Sequence, residues 1–442
     1  MNRPRPRRPV ARRQEPPGLV ARRAALKLLS NVLDRRGMLE DRAPAASGPE
    51  RAEALGLADL TLRRLGQIDA VIDIFVERPP PSAGRHILRL MAAELLFADT
   101  AAHAAVDTAV RLAQSQGATA KLGGLVNAVG RRIADAGVDL LADQDAARLN
   151  TPGWLWERLA KDWGYPATRA MAMAHMSPAP HDLTLAESAD AQALAGEIGA
   201  TILNPALSPG SIRLPGRPQI TAIPGYAQGA WWVQDAAAAL PIRLIREPTG
   251  KRVLDLCAAP GGKTLQLCTT GAEVTALDAS DTRMERLRQN LERTGQNAEL
   301  ITADALEWEP DRSFDAILLD APCSASGTIR RHPDLPYRFE RRSVSKLAKL
   351  QKRLLERALD WLKPGGTLVY ATCSLFKAEG EDVLAHTLTK HAVIVELDPI
   401  HPDDAISEEL IDPQGCIRTR PDLWPEQGGM DGFFAARLKR RP

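Results

Sequence analysis

The sequence predicts a multidomain protein with an all-helical bundle, a small α+β connector and a larger α/β domain built on a mostly parallel sheet. Its 442 residues exceed the length of a typical single domain. Apolar residues recur at helical spacing through roughly the first third of the chain, whereas strand and helix patterns alternate from Gly229 onward. We place the segments as follows: a basic arm at 1–18, the bundle at 19–142, the connector at 143–225 and the α/β domain at 226–442.

Composition limits the class of protein. The apolar fraction of 44% is ordinary for a globular chain, and no apolar run approaches the ~20 residues of a membrane span. We therefore expect no membrane association and, because the N-terminus lacks an apolar leader, no secretion. No CxxC pair occurs, so neither a metal site nor a disulfide framework is expected, and a reducing cytoplasm fits best. The five cysteines are Cys257, Cys268, Cys323, Cys373 and Cys416.

The basic arm concentrates the positive charge. Residues 1–23 hold eight Arg and one Glu, a balance of +7, which leaves about −5 for the rest of a chain whose net charge is +2. An Arg/Pro-rich segment cannot bury a core, so disorder is predicted. Phosphate contacts and a solvated terminus without a role both remain open. A transit peptide fits less well, because the arm has little Ser and no amphipathic pattern.

The bundle is predicted from i, i+3, i+4 spacing. Residues 22–35 carry this pattern, and the strongly apolar segment 86–98 is expected to be the central helix. Five to seven helices should pack together, and packing alone gives the region no function. Further helices are expected around 55–65, around 68–75, at 103–114 and at 119–136.

The connector has weaker signals. A helix is predicted at 154–163, a strand at 182–185 and a helix at 190–199. Proline and glycine then recur between residues 205 and 218, as in a loop-rich module.

The α/β domain is predicted from alternating patterns, with a late antiparallel strand completing the sheet. A helix is also expected to run from the segment after Asp235 to Arg246. Strands are predicted at 252–258, 273–278, 298–303, 316–320, 367–372, 392–397 and 433–438. Helices are predicted at 263–269, 282–294, 344–362 and 380–390.

A glycine loop follows the first of these strands. The buried run from Val253 ends in small residues, and Pro260, Gly261 and Gly262 then precede a helix. Such a turn leaves backbone N–H groups free at the helix N-terminus, at the strand end where open α/β sheets bind ligands. It is neither a P-loop nor a dinucleotide fingerprint, and an ordinary strand-to-helix turn is the alternative.

Two acidic residues extend this loop toward an adenosyl site. Asp278 ends the second strand, where a carboxylate can accept hydrogen bonds from ribose hydroxyls. Asp304 follows the third strand and could face a base. Each alone would more often be a helix cap or a turn residue.

Two cysteines leave successive strands. Cys323 lies in Asp-Ala-Pro-Cys-Ser (320–324) and Cys373 in Ala-Thr-Cys-Ser (371–374). A buried structural cysteine is the usual interpretation of either alone. Two at successive strand ends, each followed by Ser, favour a reactive site.

These motifs resemble those of S-adenosylmethionine-dependent RNA cytosine C5-methyltransferases. The resemblance rests on segments 255–264, 320–324 and 371–374, and on 327–334 and 431–434. Its bacterial small-subunit ribosomal RNA type, within the RsmB/NOP family, is the most similar, and the match covers nearly all of 226–442. One departure is the stretch of alanines at 236–239 after Gln234 and Asp235, which leaves the role of that helix open.

The resemblance implies a Rossmann-like domain, S-adenosylmethionine as cofactor and a role for each motif residue. Cys373 would be the nucleophile and Cys323 would assist product release, although the residues alone do not choose between them. Asp320 would hold the cytosine edge while charge develops. Arg330, Arg331 and His332 would meet RNA phosphates, with a solvated basic loop as the alternative. The cofactor-binding residues would be Cys257, Ala258, Ala259, Pro260, Gly261, Gly262, Lys263, Asp278, Asp304 and Asp320.

The bundle resembles the NusB-type RNA-binding domain in segments 86–96, 102–113 and 121–133. This implies a structured ribosomal RNA partner, 16S rRNA in the family type, and we expect a monomeric, cytoplasmic enzyme. Methylation of transfer RNA or another RNA remains an alternative. A non-catalytic RNA-binding assembly factor is a second, against which the two cysteines argue.

Overall fold

The computed structural model describes residues 18–39, 48–186, 190–204, 210–339, 341–404 and 406–442. The chain forms two compact units, Met1–Asn150 and Thr151–Pro442. The predicted basic arm lies outside the described residues except for Gly18, and the predicted domain boundaries stay predictions. In the described ranges no helix is long and apolar enough to cross a membrane.

The first unit is all-helical, as predicted. Helix α4 is its centre, because it packs against α1, α2, α3, α5 and α6 and buries most of its apolar residues. The helices are α1 (Leu19–Arg35), α2 (Pro49–Arg63), α3 (Leu65–Phe75), α4 (Ser82–Phe97), α5 (Ala102–Gln114), α6 (Gly123–Ala136) and α7 (Ala146–Leu149).

The second unit begins with a small α+β module. Helix α8 (Gly153–His175) is broken at Gly164, which has non-helical backbone angles two residues before Pro166. The four-stranded antiparallel sheet has the order β2-β3-β1-β4, so β4 joins a sheet that begins before residue 225. Its elements are β1 (Asp182–Leu185), α9 (Ala191–Ile198), β2 (Thr201–Ile202), β3 (Ser211–Arg213) and β4 (Trp231–Val233).

The larger sheet has the order β10-β12-β9-β8-β5-β6-β7, with β11 also paired to β12. Strands β5 to β9 are parallel and β12 runs antiparallel between β9 and β10, as the sequence predicts. The strands are β5 (Arg252–Leu256), β6 (Glu273–Asp278), β7 (Glu299–Thr302), β8 (Phe314–Asp320), β9 (Leu362–Thr372), β10 (Val395–Leu397), β11 (Ile417–Thr419) and β12 (Phe433–Arg440).

The helices of this domain follow the predicted alternation, with one correction. The helix expected to reach Arg246 is wrong: α10 has four residues and gives way to a 3-10 segment, Leu240–Leu244, because Pro241 lacks the N–H that a longer α-helix would need. Strand β11 was not predicted, since three residues carry too little periodicity. The helices are α10 (Ala236–Ala239), α11 (Gly262–Thr269), α12 (Asp281–Thr294), α13 (Leu335–Arg338), α14 (Arg341–Trp361) and α15 (Glu381–Lys390).

Strand register sets the position of the site. Leu256 on β5 is level with Leu277 on one side and Leu319 on the other, and Asp320 pairs with Ala371 of β9. The carboxyl ends of β9, β8, β5, β6 and β7 therefore form one edge. The chain order reverses between β8 and β5, the kind of switch point at which open α/β sheets bind ligands.

Candidate active site

The glycine loop is held by hydrogen bonds from its backbone N–H groups to the end of β6. The N–H of Ala258 donates to the Leu277 carbonyl over 3.0 Å, and that of Ala259 donates to Asp278 Oδ2 over 3.2 Å. Gly261 has a φ of +109°, and a Cβ there would lie 2.2 Å from Leu287 Cδ1. The loop can therefore cross α12 only with glycine at this position.

Asp278 is buried beneath the loop. Its Oδ1 accepts from the N–H of Ser280 at 3.0 Å, and Oδ2 lies 3.4 Å from Arg283 Nη1. A carboxylate has about four lone-pair positions, so these contacts leave acceptor capacity for ribose hydroxyls.

Asp304 lies in the loop after β7 and is exposed. Its Oδ1 accepts from the N–H of Leu306 at 2.9 Å, which makes it a turn residue. Its expected contact with a base stays a prediction.

Asp255 was not predicted as a functional residue. It is fully buried on β5, its Oδ2 accepts from Thr264 Oγ1 at 2.6 Å, and Oδ1 has no partner within the described structure. Burial raises the pKa of Asp255 to about 7, against the opposing effect of the Thr264 hydrogen bond. This carboxyl lies at the base of the glycine loop and accepts a hydrogen bond from the first turn of α11.

The residues at these strand ends fit S-adenosylmethionine. The glycine loop offers N–H groups at the N-terminus of α11, and Asp278 offers acceptors at the next strand end. Asp255 adds a buried carboxyl oxygen without a partner under the same loop. Asp278 would hold the ribose and the loop would hold the main body of the cofactor, which supplies an electrophilic methyl group.

The two cysteines at the ends of β8 and β9 lie together. Cys323 Sγ is 3.4 Å from Cys373 Sγ, and both side chains are partly exposed. The N–H of Gly327 donates to the Cys373 carbonyl over 2.9 Å, which joins the two loops directly. Two thiols in one accessible position can divide nucleophilic and proton-transfer tasks.

The thiol pair is electrostatically asymmetric. The hydrogen bond to Cys373 and burial raise the pKa of Cys323, and the Glu379 charge adds to that effect. Cys323 therefore keeps its proton.

Lys263 faces the same position. Its Nζ lies 2.8 Å from Asp320 Oδ2 and 4.9 Å from the centre of the Phe433 ring. Burial would lower the pKa of Lys263, but the Asp320 carboxylate and then the Cys373 sulfur hold it above its ordinary value. Lys263 therefore stays protonated. Its positive charge interacts with the Cys373 sulfur, between the cofactor loop and the cysteines.

Glu379 was not predicted as a functional residue. This fully buried carboxylate accepts from Ser324 Oγ and Ser374 Oγ, both at 2.6 Å, and from the N–H of Ser324 at 3.0 Å. Each serine directly follows one of the two cysteines. Gln351 of α14 joins the same network, because its Nε2 donates to Glu379 Oε1 over 3.3 Å and also to the Pro322 carbonyl over 2.9 Å. The spacing Cys-x₅-Glu from Cys373 was the one feature of the sequence that could have pointed to Glu379. Its role could not be inferred from that spacing, because it depends on which loop lies opposite Cys373.

Arg331 lies between two carboxylates of its own domain. Its guanidinium lies 2.5 Å from Asp235 Oδ2 and 2.7 Å from Asp431 Oδ2, and it also donates to the Pro180 carbonyl. Burial would lower the pKa of Arg331, but the two carboxylates raise it far above its ordinary value. The RNA-phosphate contact of Arg331 stays a prediction, although its donors bind carboxylates inside the domain.

The neighbours of Arg331 differ in exposure. Arg330 is buried and donates to the Gly428 carbonyl over 2.8 Å, whereas His332 is exposed. Their RNA contacts stay predictions, with His332 the more accessible.

The remaining cysteine of the motif is Cys257. Burial raises the pKa of its thiol well above the ordinary value, and the nearby Asp278 charge acts in the same direction. A thiol in this state is a packing element of the cofactor loop.

Both the helical part and the α/β part of the chain match known protein families. Residues 243–439 match the family model described as 16S rRNA methyltransferase RsmB/F, and residues 19–135 match the NusB family. Ribosomal RNA small subunit methyltransferase B of Vibrio cholerae is 34% identical and covers 95% of this chain and 97% of its own length. The protein of that name from Xanthomonas campestris is also 34% identical, with the same coverage.

Solved structures share the fold. The crystal structure of PH0851 superposes with a TM-score of 0.74 at 24% identity and covers 96% of this chain and 99% of its own. A methyltransferase homologue from Pyrococcus horikoshii, 30% identical, gives a TM-score of 0.54 and covers 65% of this chain and 94% of its own.

The sheet order and the ligand edge at β5 and β6 are those of an S-adenosylmethionine-dependent methyltransferase. The family match and the relatives narrow the class of methyltransferase further, because the similarity includes the helical unit as well as the catalytic sheet. The chain belongs to the RsmB/F family of ribosomal RNA methyltransferases.

Proposed function

We propose that this enzyme methylates C5 of a cytosine in 16S rRNA through a covalent bond between Cys373 and C6 of the base, and that Cys323 assists product release. The observation that carries the proposal is the 3.4 Å contact between the two sulfurs, beside the ion pair of Lys263 and Asp320.

The proposed chemistry gives each thiol a separate role. The Cys373 thiolate adds to C6, which forms an S–C6 bond and moves the electron pair of the C5–C6 double bond to C5. C5 can then take the methyl group from the sulfonium centre of the cofactor. Loss of the C5 proton to a base and cleavage of the S–C6 bond restore the aromatic ring and the thiolate. The Cys323 thiol lies where it can assist this last step.

Charge disfavours Cys323 as the thiolate. Lys263 interacts with Cys373, whereas the buried Glu379 charge acts against ionisation of Cys323. A cation near one sulfur and an anion near the other divide the roles as proposed.

Asp320 would orient the base. Its side chain is partly exposed at the end of β8, with Oδ2 bound to Lys263. Its other oxygen can accept a hydrogen bond from the exocyclic amino group of cytosine, which uracil lacks. The target nucleotide must leave its stack to reach this position.

The relatives and the helical unit support the RNA substrate. The relatives are named for the small ribosomal subunit, and we assign the NusB-like bundle to RNA positioning. Methylation of transfer RNA is the alternative, and methyl transfer to unmethylated 16S rRNA and to transfer RNA, followed by bisulfite sequencing, separates the two.

The decisive test compares Cys323→Ala with Cys373→Ala. Each variant is incubated with S-adenosylmethionine and unmethylated 16S rRNA and run on a denaturing gel. Cys323→Ala should accumulate a protein–RNA band, because addition proceeds and release is slow. Cys373→Ala should give no band and lose methyl transfer by at least about 10³-fold. Sequencing the trapped RNA locates the cytosine.

The control is Cys416→Ala, a buried cysteine on the far side of β12 that should behave as wild type in both assays. Methyl transfer by Cys373→Ala at the wild-type rate would overturn the nucleophile assignment. Loss of both band and transfer in Cys323→Ala would transfer the nucleophilic role to Cys323.

A further inference from the structure

Helix α14 begins with a long run of positive charge. Residues 341–353 contain six basic residues and no acidic one, in a chain whose net charge is +2. The six are Arg341, Arg342, Lys346, Lys349, Lys352 and Arg353.

Four of these residues form one stripe, which we call the α14 stripe: Arg342, Lys346, Lys349 and Arg353. Their spacings of four, three and four residues put them on one face of the helix. All four are exposed. Over 11 residues the stripe extends for about 16 Å.

In the described part of the chain, the charges of the stripe have no ion-pair partner. One turn further along, the pattern changes: Arg357 lies 2.5 Å from Glu309, and Glu356 lies 2.6 Å from Lys390. Like charges at i, i+4 repel one another and destabilise the helix. An anionic partner bound to the stripe would reduce this repulsion.

The opposite face of α14 is fixed to the catalytic loops. Gln351 is fully buried and donates to the carbonyl of Pro322, the residue before Cys323. Val344 packs in one cluster with Leu375 and Phe376, just after Cys373. The stripe therefore faces away from the two thiols, on a helix whose other face is fixed to their loops.

We propose that the α14 stripe binds backbone phosphates of the RNA substrate outside the catalytic cleft. The proposal rests on the proposed function in that the substrate is RNA. Extended lysine and arginine side chains at this spacing suit a row of phosphates and carry no base specificity. Because the stripe faces away from the cysteines, it should act on RNA affinity and leave the chemical step unchanged.

The test is a quadruple variant, Arg342→Gln/Lys346→Gln/Lys349→Gln/Arg353→Gln, in the full-length enzyme. Binding to 16S rRNA is measured by filter binding across a series of KCl concentrations. The slope of log K against log salt should fall by about three, and the affinity at low salt should fall about 100-fold. The KM for RNA should rise while kcat at saturating RNA and the Kd for S-adenosylmethionine stay within twofold.

A matched control removes four exposed basic residues elsewhere in the same unit: Arg217→Gln/Arg286→Gln/Arg312→Gln/Lys439→Gln. It should change the salt slope by less than one. If the quadruple variant unfolds, the double variant Arg342→Gln/Lys346→Gln should show about half the slope change, and Arg342→Lys/Arg353→Lys should keep the wild-type slope.

A salt slope and affinity equal to those of wild type would overturn the proposal and point to an acidic protein as the partner. A fall in kcat at saturating RNA with unchanged KM would also overturn it. Both outcomes leave the proposed function intact, which fails only if the wild-type enzyme forms no 5-methylcytosine in RNA.

Discussion

At the scale of single residues, Glu379 joins the two cysteine loops although it touches no solvent. Its carboxylate accepts hydrogen bonds from the serines after Cys323 and Cys373, and burial raises its pKa. Four donors converge on it, including Gln351 Nε2 at 3.3 Å. We therefore assign Glu379 as a positioning residue that holds the two cysteine loops, and with them the two sulfurs, in place.

Glu379→Ala should lower kcat by about 10- to 100-fold, because small displacements of reacting groups are costly, and should leave the Kd for S-adenosylmethionine unchanged. Unpaired serine hydroxyls should also lower the free energy of unfolding by about 1–3 kcal/mol. Glu379→Gln, which keeps the shape and one acceptor, should recover part of kcat. The exposed Asp382→Asn is the control. Equal stability losses with unchanged kcat in both Glu379 variants would contradict a positioning role.

Asp255 predicts a pH dependence of stability. Burial raises its pKa to about 7 in the folded state, whereas an unfolded aspartate titrates near ~3.9. Between these values the folded state binds more protons than the unfolded state, so this group's contribution falls as pH rises from about 4 to 7 and is constant above.

Asp255→Asn should remove that fall. Relative to wild type, its free energy of unfolding should rise by up to about 1.4 kcal/mol per pH unit between pH 5 and pH 7. Urea unfolding at pH 5, 6, 7 and 8 measures the difference. Asp360→Asn, whose carboxylate is 70% exposed, is the control and should parallel wild type. Parallel curves for Asp255→Asn and wild type would refute the assignment.

At the scale of elements, three loops meet at Gly327. Its N–H donates to the Cys373 carbonyl and its own carbonyl accepts from the N–H of Gly432, each over 2.9 Å. A Cβ at Gly327 would lie 1.9 Å from the Gly432 oxygen, so the approach of two backbones excludes any side chain. The loops after β8 and β9 and the turn before β12 therefore form one packed layer.

Gly327→Ala should force these loops apart. We expect a loss of about 1–3 kcal/mol in the free energy of unfolding from overpacking and a decrease in methyl transfer. Gly196→Ala in α9, where a Cβ meets open space, should be neutral or slightly stabilising. Thermal unfolding and a methyl-transfer assay on both variants provide the comparison. Wild-type stability in Gly327→Ala would show that the layer can relax.

At the scale of the whole molecule, the chain divides into two compact units, and cofactor and cysteine loops all belong to the second. We therefore expect residues 151–442 alone to fold and bind S-adenosylmethionine with a Kd within about threefold of the full chain. The KM for 16S rRNA should rise by at least about tenfold, because the NusB-like bundle is assigned to RNA positioning. Calorimetry and methyl-transfer kinetics test this, and an unchanged KM would remove that role from the bundle.

Much of the fold was predictable because its signals are local. The period of Arg22 to Arg35, the Pro-Gly-Gly turns and the alternation after Gly229 each follow from neighbouring residues. Errors occurred where the signal was short, as at the three-residue strand β11, or where one residue overrode a pattern, as Pro241 does directly after α10.

The candidate site divides in the same way. The sequence by itself determined the strand-loop-helix at Gly261 and the two cysteine motifs, because each of these motifs spans no more than about a dozen consecutive residues. Only the tertiary structure decided that Cys323 and Cys373 lie 3.4 Å apart, that Glu379 joins their loops and that Arg331 binds carboxylates rather than solvent. Those contacts depend on which strand ends are neighbours, and sheet order is fixed by burial of the whole apolar core rather than by any local pattern.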